Sequence, residues 1–127
     1  MRKHGILNAE LAAAVCRLGH TDTVVVADCG LPRPAGVPVV DLAVVFGVPR
    51  FVDVLDALIA ECAFEGCTAA SESRGTAVED VVLARFPDAA FVPHEELKRL
   101  SSTAALLVRT GEATPFANVV LRCGVPF

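Results

Sequence analysis

His20 and Asp28 are the residues best placed to do chemistry in this chain, because they bracket the apolar run Val24 to Ala27 at its two rims. An imidazole gives and takes protons at neutral pH, and a carboxylate partner can orient it. A run of Val and Ala without alternation implies a strand buried on both faces, as at the centre of a parallel sheet. Ligands of open α/β sheets gather beyond the carboxyl ends of such strands, where Asp28 sits. Each residue also has a plainer reading: a histidine ahead of a strand is commonly a hydrogen-bonded structural residue, and Asp28 can cap a turn. Strand geometry adds a constraint. At roughly 3.3 Å per residue, the two side chains can lie more than about 15 Å apart, too far for one small ligand to touch both. Either the Gly19-His20 loop folds back along the sheet, or a second copy of the chain completes the site.

A second group follows downstream. His94 opens a helix and Lys98 lies four residues on, so the two share a helical face. His94 is either an N-cap or a ligand contact, and Lys98 either an exposed stem or its neighbour in a site. The loop Gly111-Glu112-Ala113-Thr114-Pro115-Phe116-Ala117-Asn118 offers backbone amides, an apolar ring and one amide side chain. Asn118 bonds either a ligand hydroxyl or its own turn. No G-x-G-x-x-G follows the first strand and no serine-centred elbow occurs, which leaves nucleotide binding and acyl transfer without support.

The elements that must hold these residues can be read in order. Asn8 is a good N-cap, Glu10 suits the positive helix end, and Leu11, Val15 and Leu18 form one stripe, predicting a helix from about Ala9 to Leu18. Gly19 is expected to close it in the left-handed conformation, and Gly30 with Pro32 to turn the chain after the strand. Val37 to Val45 predicts another strand, and Phe51, Val52, Leu55, Leu58 and Ile59 a helix from near Pro49 or Arg50. Ala63 to Ala70 reads as a third strand, Ser71 to Thr76 as a linker-like loop, and Val78, Val81, Val82 and Phe86 as a short helix ended by Pro87. Ala89 to Val92, Ala104 to Arg109 and Asn118 to Cys123 complete the strands, with a helix from Pro93 whose acidic residues precede its basic ones. Strands alternating with helices mean an α/β protein with a three-layer, Rossmann-like αβα sheet.

Composition sets the limits. With 127 residues the chain is expected to form one domain, residues 1–127. The hydrophobic fraction is 54% and the mean hydropathy +0.56. No stretch reaches the roughly 18 uninterrupted apolar residues of a membrane span, so the surplus is expected at subunit interfaces. A net charge of -4, with the 11 basic residues spread along the chain and never more than two together, argues against nucleic acid. Asn8 and Glu10 interrupt any signal-peptide core, so the protein is expected in the cytoplasm. Five cysteines without C-x-x-C favour buried thiols over a disulfide framework or a zinc site.

The stretches Leu18-Gly19-His20-Thr21-Asp22-Thr23, Ala27-Asp28-Cys29-Gly30-Leu31-Pro32, Gly47-Val48-Pro49, Arg109 to Asn118 and Cys123-Gly124-Val125-Pro126-Phe127 resemble the RbsD/FucU family, on its ribose branch. The resemblance runs from end to end and is thinnest over about 60–90. It implies an RbsD-like fold and an isomerase that interconverts the pyranose and furanose forms of D-ribose. It also implies a cytoplasmic homo-oligomer built from pentameric rings, such as a decamer, working without cofactor or metal. His20 matches the family's catalytic proton donor. Asp28, His94, Phe116, Ala117 and Asn118 match sugar-binding positions, and Lys98 matches a lysine near that site. His94 favours the ribose branch, because the fucose mutarotases usually carry arginine there. Phe116 stands where the family usually has tyrosine, and one lost ligand hydrogen bond costs on the order of 1 kcal/mol, roughly fivefold in affinity. A fucose-type mutarotase and a non-catalytic ribose-binding ring are the alternative readings.

Overall fold

The computed structural model describes residues 1–127. Its elements, in order, are α1 (Ala9–Val15), β1 (Thr23–Ala27), β2 (Val39–Asp41), α2 (Phe51–Glu61), β3 (Phe64–Ala70), a 3₁₀ turn (Ser71–Ser73), α3 (Ala77–Arg85), β4 (Ala90–Val92), α4 (His94–Ser101), β5 (Leu106–Arg109) and β6 (Val119–Cys123). The strands form one sheet in the order β2-β5-β1-β6-β3-β4. Every pairing is parallel except those of β6, which runs against both β1 and β3.

The apolar run predicts the place of β1. Val24, Val25, Val26 and Ala27 are fully buried between β5 and β6. Burying each valine contributes about 1.5–3 kcal/mol, which makes β1 the anchor for both rims. Alternate residues serve the two faces. Val24 and Val26 pack with Leu11, Phe51, Leu55, Leu58 and Val82, so α1, α2 and α3 cover one face. Val25 and Ala27 pack with Leu97 and Leu107 on the other, which α4 covers over β3 and β6. The αβα layering is therefore as expected, with helices unequally shared.

Three local expectations are corrected. The helix α1 ends at Val15, short of Leu18, although Asn8 caps it by accepting from Leu11 N at 2.9 Å. Gly19 does not take the left-handed conformation; Thr21 does, with φ 71°. The run Val37 to Val45 yields only the three-residue β2, because β2 is an edge strand with β5 as its single partner. Beyond Asp41 the chain leaves the sheet and folds into a hairpin whose Val44, Val45, Phe46 and Val48 are exposed. Gly111 lets that hairpin approach, since a Cβ there would collide with the Val48 carbonyl. All five cysteines are free. Burial pushes the Cys67 thiol up to about 12, in keeping with a packing role, whereas Cys16 is exposed.

Candidate active site

Beyond the carboxyl end of β1 lies a cleft of about 360 Å³, lined among others by Asp28, Leu31, Phe46, His94, Glu112 and Phe116. Asp28 leaves β1 at the first position where the backbone is no longer paired in the sheet, and Asn118 replaces the missing partner. The Asp28 backbone N–H donates to Asn118 Oδ1 at 2.8 Å, and Asn118 Nδ2 donates back to Asp28 Oδ2 at 2.8 Å. Asp28 Oδ1 accepts from Gly30 N at 2.9 Å. The carboxylate is thus fixed at the cleft wall by one amide and one backbone donor, a pre-organised acceptor for hydroxyl groups.

His94 reaches the same cleft from the first turn of α4, where the Glu72 carboxylate accepts its backbone N–H at 3.1 and 2.9 Å. This bond, and the nearby imidazole, hold the Glu72 carboxyl below the usual glutamate range. The His94 ring meets Phe116 edge to face, with centroids 5.1 Å apart, and its Nδ1 is buried without a protein partner. That nitrogen keeps its hydrogen-bonding capacity unspent within the fold. Phe116 adopts φ 62°, a conformation uncommon for an aromatic residue.

Glu112 ties the cleft wall to α2. One carboxylate oxygen accepts from Phe51 N at 3.1 Å at the start of α2, and the other from Ala113 N, Thr114 N and Thr114 Oγ1 at 3.2, 3.1 and 2.8 Å. Burial works to raise its carboxyl, but these bonds outweigh it and hold the group below the usual range.

The other expected residues are divided. Asn118 is fully buried behind Asp28, and Ala117 lies in the core. Lys98 stands one turn along α4 from His94, pairs with Glu95 at 2.5 Å, and does not line the cleft. His20 lines a different cleft, of about 430 Å³, shared with Leu18, Cys62, Cys123 and Phe127 at the opposite end of β1. There its Nε2 lies 3.2 Å from Glu65 Oε2. The loop therefore does not fold back to bring His20 to Asp28. No group of three or more His, Cys, Asp or Glu is arranged to hold a metal ion, and no helix is long and apolar enough to cross a membrane.

Sequence reasoning passes over Glu65, Glu72 and Glu112. Gly66 was a usable signal for the first, because an isolated glycine within a strand pattern marks a bulge, and β3 changes register between Phe64 and Gly66. Glu112 had a weaker one in its setting between Thr110 and Thr114. Glu72 had none, since its target is 22 residues away.

A mixed sheet with a largely apolar cleft beyond its central strand, walled by a fixed carboxylate, an imidazole and an aromatic edge, defines a small α/β protein whose cleft sits where ligands of such sheets gather. Residues 1–126 match the RbsD / FucU transport protein family, and the chain belongs to that family. It is 53% identical, over 100% of both chains, to a D-ribose pyranase of Cutibacterium acnes. The structure of Bacillus subtilis RbsD complexed with D-ribose superposes with a TM-score of 0.93 at 42% identity, covering 100% of both chains. A fucose mutarotase from Streptococcus pneumoniae, solved with L-fucose, shares the fold at a TM-score of 0.83 and 19% identity, covering 99% of this chain and 100% of the other.

Proposed function

We propose that this protein is a D-ribose pyranase, an isomerase that interconverts the β-pyranose and β-furanose forms of D-ribose by opening and reclosing the hemiacetal. The observation that carries this reading is the 53% identity, without gaps in coverage at either end, to a protein bearing that activity in its name. The cleft agrees with it in size and chemistry, since about 360 Å³ accommodates a pentose.

In the reaction, the ring oxygen takes a proton as its bond to the anomeric carbon breaks, and the anomeric hydroxyl passes one to solvent water as the carbonyl forms. Reclosure by a different hydroxyl reverses both transfers. The uncatalysed exchange already proceeds in water, so positioning and general acid catalysis suffice. His20 is the proton donor in this reading. Asp28 and His94 hold sugar hydroxyls, Phe116 forms the apolar wall, Asn118 acts through Asp28, Ala117 packs behind them in the core, and Lys98 borders the site.

His20 and Asp28 serve one sugar only if the His20 cleft of one copy meets the Asp28 cleft of another. The exposed apolar residues flanking the two clefts support such an assembly: Phe46 beside the first, Val125 and Phe127 beside the second. In this reading the protein is a homo-oligomer with sites between subunits; the pentameric rings or decamer and the cytoplasmic setting are what the resemblance to the family implies.

Saturation-transfer NMR on D-ribose with catalytic amounts of the protein tests the function directly. Faster pyranose–furanose exchange, lost in His20→Ala, is expected. Phe116, which lacks the tyrosine hydroxyl, favours a second reading in which the ring only senses ribose; saturable binding without faster exchange would establish that reading in place of the enzyme. Acceleration confined to anomers of a 6-deoxy sugar would assign the chain to the fucose-type activity instead.

A further inference from the structure

The carboxylate that faces His20 belongs to Glu65, and two departures from regular backbone bring the pair together. The first is a bulge in β3. Phe64 pairs with Cys123 and Gly66 with Arg122, so Glu65 is the extra residue of its strand. Bulges of this kind re-aim a side chain, and they recur beside active sites. Glu65 Oε2 lies 3.2 Å from His20 Nε2, while its Oε1 forms an ion pair with Arg122 Nε at 2.8 Å on the adjoining β6. One carboxylate therefore spans both side chains, and Arg122 restrains it from the far side. Gly124 permits the packing, since a Cβ there would come within 3.2 Å of Glu65 Cβ.

The second departure is Thr21, the residue after His20, in the left-handed region at φ 71°. For a β-branched residue this costs about 1–3 kcal/mol and persists only where its surroundings enforce it. They do so here: Thr21 N donates to Cys123 O at 3.0 Å, Cys123 N to Asp22 O at 2.8 Å, and Gly19 N to Asp22 Oδ2 at 2.8 Å. The strained turn and the bulge are both tied to the end of β6, so both halves of the His20–Glu65 contact share one anchor.

We propose that Glu65 is the positioning residue of His20: it accepts the hydrogen bond of Nε2–H, leaving Nδ1 as the nitrogen that exchanges protons with the sugar. The inference rests on His20 being the proton donor. In the donor state both ring nitrogens carry hydrogen. Nε2–H stays on Glu65 while Nδ1–H passes to the ring oxygen, which keeps the electron pair of the breaking bond, and the Nδ1 lone pair recovers a proton when the ring recloses. The pair is half-exposed in one chain, so its value to stability is small, and its value lies in fixing which nitrogen is presented.

A double-mutant cycle on the ribose exchange rate tests this. His20→Ala is expected to lower kcat by about 100-fold or more, the lower range for a general acid. Glu65→Leu removes the acceptor and is expected to lower kcat by roughly tenfold with KM within about twofold, because it touches no substrate group. Added to His20→Ala it should have no further effect, since residues acting as one unit are not additive. Glu65→Gln keeps an acceptor for Nε2–H and should recover part of the lost rate, which also covers the case of a poorly folding leucine variant. A normal kcat in Glu65→Leu, full additivity with His20→Ala, or a Gln variant no better than the Leu variant would overturn the positioning role while leaving His20 as the acid. Unchanged exchange in His20→Ala would instead remove the reading on which the inference stands.

Discussion

Asn118→Ala is expected to loosen the cleft at Asp28 without touching its lining. In the native chain Asn118 is fully buried and makes both halves of a reciprocal pair with Asp28, each at 2.8 Å. The alanine leaves the Asp28 backbone N–H without its partner, which costs about 1–3 kcal/mol, and removes a hydrogen bond to a charged acceptor, ordinarily about 1.5–3 kcal/mol. Asp28 is only half-buried and water can reach it at the cleft, so the charged bond counts at its lower end. The sum is then roughly 2.5–4.5 kcal/mol. For a domain of this size that is a fall in Tm on the order of 10 °C, readable by scanning calorimetry. A less firmly held carboxylate should also raise KM for ribose about tenfold, the equivalent of one weakened charged hydrogen bond. Asn118→Asp separates this account from simple loss of packing. It sets a second carboxylate against the first, and such a pair binds one proton well above the usual carboxylate range. The aspartate variant should therefore be less stable than the alanine variant at about pH 8 and recover relative to it at about pH 5, as the shared proton is taken up. A Tm within about 2 °C of the native value and an unchanged KM in Asn118→Ala would refute the reasoning.

Glu112→Gln should alter the pH dependence of stability. The native carboxyl is held below its ordinary value, so its contribution is complete above the unfolded glutamate value of about 4.3 and is lost as pH falls through the lower folded value. The Tm gap between native and variant proteins should be largest near neutrality and shrink below about pH 4; a gap independent of pH would show that the four donors do not depend on the charge. Phe116→Tyr should restore a hydroxyl at the cleft wall, tightening ribose binding about fivefold by calorimetry, provided the left-handed backbone at this position is kept; equal or weaker binding would mean that the hydroxyl finds no sugar atom.

Much of this architecture follows from local pattern, and the exceptions have physical causes. The run Val24 to Ala27 announces a central strand because only burial on both faces accommodates four apolar residues in succession. Asn8 and Pro87 punctuate helices through a short-range hydrogen bond and a missing donor that the chain order displays directly, whereas the cap supplied by Thr76 lies in a stretch that reads as a loop. By contrast, Val44, Val45 and Phe46 continue the apolar signature of β2 but stand exposed, since hydrophobicity alone does not distinguish a core strand from an exposed hairpin. Thr21 takes the conformation expected of Gly19 because its backbone is clamped by Cys123, over 100 residues away. Asp28, His94 and Phe116 are recognisable from their types and places, whereas Glu65, Glu72 and Glu112 act on targets 45, 22 and 61 residues distant. A carboxylate that supports a distant group has no sequence spacing to betray it.

The reversed strand β6 explains why the two rims of β1 are specified together. Had β6 run parallel to β1, its first residues would lie beside Thr23 and its last beside Ala27. Running antiparallel, it sets Val119 opposite Val26 and Arg122 opposite Thr23. Asn118, just before β6, therefore arrives next to Asp28, and Arg122 and Cys123, at its end, arrive next to the turn carrying His20. The same strand pairs with β3 on its other edge, where Arg122 meets the bulge and restrains Glu65. A slip of β6 by one residue would reverse every side chain on it and pull Asn118 away from Asp28 while displacing the clamp on Thr21. Its buried Val119, Val120 and Leu121 oppose that slip from both faces of the sheet. The hydrophobic register that stabilises the core is thus the same register that sets the His20–Glu65 pair at one rim and the Asp28–Asn118 pair at the other.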